Sequence, residues 1–128
     1  MVNGRQKGNK AERDVIAVLR KHFGGEPWQR RSMGVDGYDI ITPDWFRWAI
    51  EVKDRKSVKL KHLWKPTKEL RSFWQQAVDQ SLTERKKPLL VIKIEGLWFA
   101  IDSPYFGSSV ELFEDWCEEE KGNADTVA

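Results

Sequence analysis

The chain has 128 residues, a formal net charge of +2 and one cysteine. That length fits one domain with one core, and a lone cysteine excludes an internal disulfide and any zinc site built from cysteines. No apolar run reaches the ~20 residues that span a bilayer, and no signal-peptide core opens the chain. We therefore expect a single cytoplasmic domain over residues 1–128, with flexible ends at about 1–7 and 121–128.

Charge is distributed unevenly along the chain. Basic residues dominate 1–21 and 53–71, whereas acidic residues collect after residue 110. Such a polarised molecule has one face suited to phosphate groups. The competing interpretation is that the basic residues only keep the surface solvated. The predicted phosphate contacts in these two stretches include Lys7, Lys10, Arg55 and Lys56.

A first helix is predicted from about Asn9 to Phe23, because apolar residues recur there at helical spacing and Gly24-Gly25 ends the pattern. The residues predicted to face inward are Ala11, Val15, Val18, Leu19 and His22. Glu12 lies beside this stripe in the first turn. It is either a plain exposed carboxylate or one that faces the sheet.

Two short apolar segments, Gly37–Ile41 and Ala49–Lys53, are predicted to pair as a hairpin, and a shorter strand precedes them after Trp28. Side chains alternate along a strand, so Glu51 and Lys53 share one face and the hairpin brings Asp39 opposite Glu51. Two carboxylates beside an ammonium can bind magnesium. Asp36 competes with Asp39 for this role, but Asp36-Gly37 is typical of a turn.

The pattern of Asp39 followed by Glu51-x-Lys53 resembles the signature of the PD-(D/E)xK nuclease superfamily, with Tyr38 in place of the usual proline. The resemblance implies an α/β, restriction-endonuclease-like core, a central mixed β-sheet flanked by helices. It also implies that Asp39 and Glu51 hold one or two Mg²⁺ ions, for which Mn²⁺ substitutes. Lys53 would position or deprotonate the attacking water; an ammonium with its ordinary pKa of ~10.4 is a poor base at neutral pH, which favours an electrostatic role.

Two further segments resemble archaeal-type Holliday junction resolvases. The Gly-x-x-x-Glu-Arg motif at 8–13 is similar to their opening helix, and residues 29–34 are similar to their Arg-Ser loop. The resemblance covers residues 7–57 and implies that Glu12 is a third catalytic and metal-binding carboxylate. It implies a homodimer that cuts four-way DNA junctions during recombination, in a bacterial, archaeal or phage-infected cell. The DNA contacts that it implies are Arg13, Arg30, Arg31 and Ser32.

The second half of the chain predicts a helix from Pro66-Thr67 to before Pro88, after a basic connection over 54–65. Gln76 on this helix resembles a glutamine that several superfamily members place near the site, and an exposed amide is the alternative. Leu89–Ile92 and Leu97–Ile101 predict a second hairpin, and Ser108-x-x-Glu111 predicts the capping box of a last helix. The core stripe predicted for the middle helix is Leu70, Phe73, Trp74, Ala77, Val78 and Leu82.

Seven tryptophans in so short a chain suggest a base-stacking role in nucleic-acid binding. Trp74, Trp98 and Trp116 fall on core patterns, where burial is the ordinary explanation. For the others we expect a subunit interface to house some, since aromatic residues are enriched there. These are Trp28, Trp45, Trp48 and Trp64.

Three alternatives stay open at this point. One is another nuclease of the same superfamily, acting on flaps, mismatches or ordinary duplex. Another is a non-catalytic basic DNA-binding module in which Glu51 and Lys53 form only a surface ion pair. The third is a structural subunit that uses its tryptophans for partner binding. Metal-dependent cleavage separates the first from the other two, and salt-sensitive DNA affinity separates the second from the third.

Overall fold

The computed structural model describes residues 4–30 and 39–127, and among these the side chains of residues 10–30 and 39–122. No helix in the described ranges is long and apolar enough to cross a bilayer. The predicted element order is confirmed, with a short 3-10 helix at Leu60–Leu63 and one further strand added. The elements are α1 (Gly4–Phe23), β1 (Gln29–Arg30), β2 (Ile40–Ile41), β3 (Trp48–Asp54), α2 (Lys68–Glu84), β4 (Lys87–Ile94), β5 (Leu97–Ile101), β6 (Glu111–Leu112) and α3 (Phe113–Val127).

The main sheet has four strands in the order β3-β4-β5-β6. β3 and β4 are parallel, and the other two pairs are antiparallel. Parallel neighbours need a crossover connection, and α2 provides it. The predicted fold class, an α/β core with a mixed sheet flanked by helices, is confirmed.

The run Leu89–Ile92 in β4 is continuously apolar because both faces of the sheet are covered. Leu89 and Val91 belong to an apolar cluster with α1 and α3, together with Ile50 and Val52 of β3. Leu90 and Ile92 belong to a second cluster with α2. Because Glu51 and Lys53 are the register partners of Leu90 and Ile92, their side chains lie on the α2 face.

The predicted hairpin between residues 37–41 and 49–53 is wrong. β2 pairs instead with β1, in the register Gln29↔Ile41 and Arg30↔Ile40. The connection from β2 to β3 contains a turn in which Phe46 N–H donates to Pro43 O at 3.0 Å, and this turn separates the two strands. β3 therefore remains an edge strand of the main sheet, and that edge is where the candidate site lies.

Helix boundaries and faces differ from the predictions at several points. α1 begins at Gly4, ahead of Asn9. The predicted capping box at Ser108 is wrong, because Glu111–Leu112 forms β6 and the last helix starts at Phe113. Thr67 does cap α2, accepting from Leu70 N–H at 3.1 Å. Leu82 is 72% exposed, because Ser81 takes the buried position of the last turn.

The tryptophans divide between core and surface. Trp28 is fully buried against Phe23 and Phe46 and donates from Nε1 to Gly24 O at 2.7 Å, so the interface expectation is wrong for it. Trp48 is half-buried and donates to Glu120 Oε1 at 3.0 Å. Trp45 and Trp64 are exposed.

Candidate active site

Three carboxylates and one ammonium from separate elements meet at the open edge of β3. Glu12 comes from α1, Asp39 from the residue before β2, and Glu51 and Lys53 from β3 itself. Electrostatic coupling links all three carboxylates to one another. We call these four residues the β3 edge site. These are the four residues that the sequence predicted as catalytic, and the strand pairing predicted to bring Asp39 to Glu51 is wrong.

Asp39 contacts β3 through a side-chain hydrogen bond and not through backbone pairing between β2 and β3. Val52 N–H donates to Asp39 Oδ2 at 2.8 Å, so the carboxylate satisfies a backbone donor that an edge strand otherwise leaves unpaired. Burial raises the pKa of Asp39, while this hydrogen bond and the charge of Lys53 oppose the rise. The contact fixes Asp39 beside the backbone of Glu51.

Glu51 is a buried carboxylate, only 3% exposed. Burial raises its pKa to about 7; Asp39 and, more weakly, Glu12 add to the rise, and Lys53 opposes it. Lys53 Nζ lies 3.4 Å from Glu51 Oε1 and 5.0 Å from the centre of the Phe73 ring. The ammonium therefore lies between a carboxylate and an aromatic face.

Glu12 is half-buried on the inner side of α1. Burial raises its pKa to about 7, Asp39 adds to the rise, and Arg30 of β1 opposes it. The sequence left open whether Glu12 faces solvent or the sheet. Its electrostatic interactions with Asp39 and Glu51 indicate that its carboxylate faces the sheet.

The chemistry of the β3 edge site fits a divalent cation. Glu51 Oε2 is buried and has no hydrogen-bond partner among the described residues, which is costly for a carboxylate oxygen unless something satisfies it. Three mutually repelling carboxylates are relieved by a positive ion, and carboxylate oxygens are the ligands that Mg²⁺ prefers. In the described residues, however, no three acidic, histidine or cysteine side chains are already arranged around a common ion position.

The predicted phosphate-binding residues lie in two places. Arg13, Arg20 and Arg30 line a hollow of about 410 Å³ between α1 and β1, and Arg20 was not among the predicted phosphate contacts. Its spacing from Arg13 and Ala17 along one helix face was the signal that could have found it. Arg20 also donates to Trp28 O at 2.9 Å. Lys10 is exposed and pairs with Asp14 at 3.5 Å.

Arg55 and Lys56 form the second place, directly after β3. Both are exposed, and the Arg55 guanidinium lies 5.8 Å from the centre of the Phe73 ring. Three predicted contacts are not placed: Arg31 and Ser32 lie outside the described residues, as does the side chain of Lys7.

Two glutamines on α2 differ from the expectation. Gln76, predicted to be adjacent to the site, is exposed and makes no described contact with the β3 edge site. Gln80, one turn later, carries a buried Oε1 without a hydrogen-bond partner among the described residues. Phe73 on α2 contacts Lys53. Because Phe73 is apolar, the sequence predicted it only as a core residue.

Comparison with known proteins gives one family. Residues 3–101, well over half of the chain, match the model of the family described as "Phage putative PDDEXK endonuclease". A search of curated proteins found no match. An endonuclease of this family is a hydrolase, and PD-(D/E)xK nucleases generally use divalent metal ions. The chain belongs to this phage endonuclease family and is a nuclease of the PD-(D/E)xK type.

Proposed function

We propose that this chain is a Mg²⁺-dependent endonuclease, a single nuclease domain that acts as a homodimer on four-way DNA junctions. Glu12, Asp39 and Glu51 hold the metal, with Mn²⁺ able to substitute, and Lys53 is the fourth catalytic residue. The observation that supports the site most strongly is the buried Glu51 carboxylate, whose Oε2 has no partner within the described residues while Asp39 and Lys53 stand beside it.

The protein's own groups each have a defined task in this proposal. A divalent cation, when bound, would neutralise negative charge on the scissile phosphate and activate a water molecule. Val52 N–H orients the Asp39 carboxylate from one side. Lys53 Nζ, held at 3.4 Å from Glu51 and against Phe73, orients the attacking water and offsets negative charge that develops on the phosphate.

Junction cleavage is the finer part of the proposal and rests on the resemblance of residues 7–57 to junction resolvases. Resolving a four-way junction needs matched nicks in two strands of like polarity, and a two-fold dimer presents two identical sites with that symmetry. The described residues supply one β3 edge site per chain, so both nicks need two chains. Trp45, more than half exposed, is available for a contact between them.

We expect the arginine-lined hollow beside Glu12 to bind DNA phosphates. Arg30→Ala and Arg13→Ala should each weaken junction binding and reduce the slope of log affinity against log salt by about one unit, the value for one lost phosphate contact. Fluorescence anisotropy over a salt series measures this slope. Arg47→Ala, at an exposed position outside the hollow and outside both basic stretches, is the control, and a slope unchanged in Arg30→Ala removes Arg30 from the interface.

Substrate and assembly can be tested together. The purified protein is incubated with labelled four-way junction, flap and linear duplex, with Mg²⁺ or with EDTA, while sedimentation gives its mass. The proposal predicts paired symmetric nicks in the junction, no cutting in EDTA, and twice the 15.0 kDa chain mass. A monomer that cuts duplex as readily as junction contradicts the junction assignment and leaves a general PD-(D/E)xK nuclease.

A further inference from the structure

Trp64 is 68% exposed although it is held firmly in place. It follows the 3-10 helix and donates its backbone N–H to Lys61 O at 3.2 Å. One edge of its indole lies on Gly107, where a Cβ atom would come within 3.3 Å of Cδ1 and Nε1. The ring is therefore supported by the 103–110 loop and presents the rest of its surface to solvent.

The surroundings of Trp64 are basic. The segment 55–68 contains six lysines and arginines and no acidic residue, and Lys59, Lys61 and Lys65 are exposed. Tyr105, 78% exposed, lies on the same loop as Gly107. We call Trp64 with Lys61 and Lys65 the Trp64 surface. An exposed aromatic ring among lysines is complementary to nucleic acid, whose bases stack and whose phosphates are negative.

The Trp64 surface and the β3 edge site border the same apolar cluster. Leu63, beside Trp64, is buried in the apolar cluster that contains Phe73, and the Phe73 ring carries Lys53 and Arg55. Directly after β3 lies a hollow of about 270 Å³, whose lining includes Arg55, Lys56, Lys59 and Lys93 along with Asp54 and Glu95. Along the chain, exposed basic side chains therefore follow β3 up to Trp64.

We propose that the Trp64 surface binds unpaired DNA, with one base stacked on the indole and the flanking phosphates near Lys61 and Lys65. This inference rests on the proposed DNA cleavage for its biological setting, and it adds to the proposed junction substrate a contact with bases that become unpaired at the branch point. Duplex DNA keeps its bases stacked on each other and cannot use the ring in this way.

The test measures binding without cleavage. A fluorescein-labelled single-stranded oligonucleotide and a duplex of the same length are titrated in EDTA with wild type, Trp64→Phe and Trp64→Leu. Leu is an apolar replacement that lacks an aromatic face, so it should weaken single-strand binding by about tenfold, with Trp64→Phe in between and duplex binding nearly unchanged. Leu82→Ala, which removes another exposed apolar side chain from α2, should bind both as wild type does.

Two results would overturn the proposal. An equal loss of affinity for single strand and duplex would mean that Trp64 contacts the DNA backbone and not an unpaired base. Unchanged DNA affinity, with a change in sedimentation mass, would make the surface a contact between copies of the chain. Thermal melting confirms that each variant is folded. Because this test measures no cleavage, a negative binding result does not contradict the catalytic roles of Glu51 and Lys53. Likewise, a protein that does not cleave DNA could still bind single strands through Trp64.

Discussion

Glu51→Gln should lower the DNA cleavage rate by roughly 10²- to 10³-fold, the range for losing one strong electrostatic contribution in a site. The substitution keeps the shape of the side chain but removes the charge that a cation and Lys53 both use. DNA affinity should stay within about twofold, because the metal-binding carboxylates stabilise the transition state more than they hold phosphates. Single-turnover cleavage and anisotropy with Ca²⁺ in place of Mg²⁺ separate the two effects.

Asp39→Asn and Lys53→Ala should behave like Glu51→Gln, since each removes a charge from the same site. Glu69→Gln is the matched control: Glu69 is an exposed carboxylate on α2 that bonds Ser57 and does not contact the β3 edge site. It should cut at the wild-type rate. Undiminished cleavage in Glu51→Gln would exclude Glu51 from catalysis, and a parallel loss of DNA binding would make it a binding residue.

The stability of the metal-free protein should fall as pH rises from about 4.5 to above 7. Burial raises the pKa of Glu51 from 4.5 to about 7, so the folded state holds its proton more tightly than the unfolded chain does. The stabilising effect is complete below pH 4.5 and is lost as pH passes 7. For Glu51 the difference is about 3 kcal/mol. Glu12, whose pKa is also raised to about 7, acts in the same direction.

Urea unfolding in EDTA at about pH 5 and about pH 8 measures this effect. Comparison with Glu51→Gln cancels the titration of other groups, and the variant should gain stability relative to wild type as pH rises. Mg²⁺ at the higher pH should restore wild-type stability and have little effect on Glu51→Gln. Glu26→Gln, at an exposed position after α1, is the control. A stability difference that does not vary with pH would show that Glu51 stays ionised in the fold.

The sequence predicted the β3 edge site better than it predicted the strands around it. Alternation along 49–53 placed Glu51 and Lys53 on one face, as found. The hairpin inference failed because β2 is only two residues long and pairs with β1. Asp39 reached Glu51 nonetheless, since its side chain accepts from Val52 N–H. A side chain that accepts a hydrogen bond from the unpaired backbone of an edge strand leaves no periodic pattern in the sequence.

Burial of single residues was harder to predict than helical faces. Leu82 continues the apolar stripe of α2, but Ser81 is buried because its hydroxyl donates to Val78 O at 2.7 Å. Val58 and Leu63 are buried in a segment dominated by lysines, where a charge-rich composition suggested only a connection. In both cases tertiary contacts determine which residue is buried, and the local sequence pattern does not show those contacts.

The most direct test of the account is whether the β3 edge site binds a divalent cation in the absence of DNA. Calorimetric titration of Mn²⁺ is compared among wild type, Glu51→Gln and Glu119→Gln. Glu119 lies on α3 in a separate acidic group with Asp115 of the same helix and Glu111 of β6, so this control reports binding elsewhere. If the β3 edge site holds the metal, Glu51→Gln should bind Mn²⁺ at least about tenfold more weakly than wild type, and Glu119→Gln should bind as wild type does. Equal Mn²⁺ affinity in Glu51→Gln and wild type would contradict this prediction.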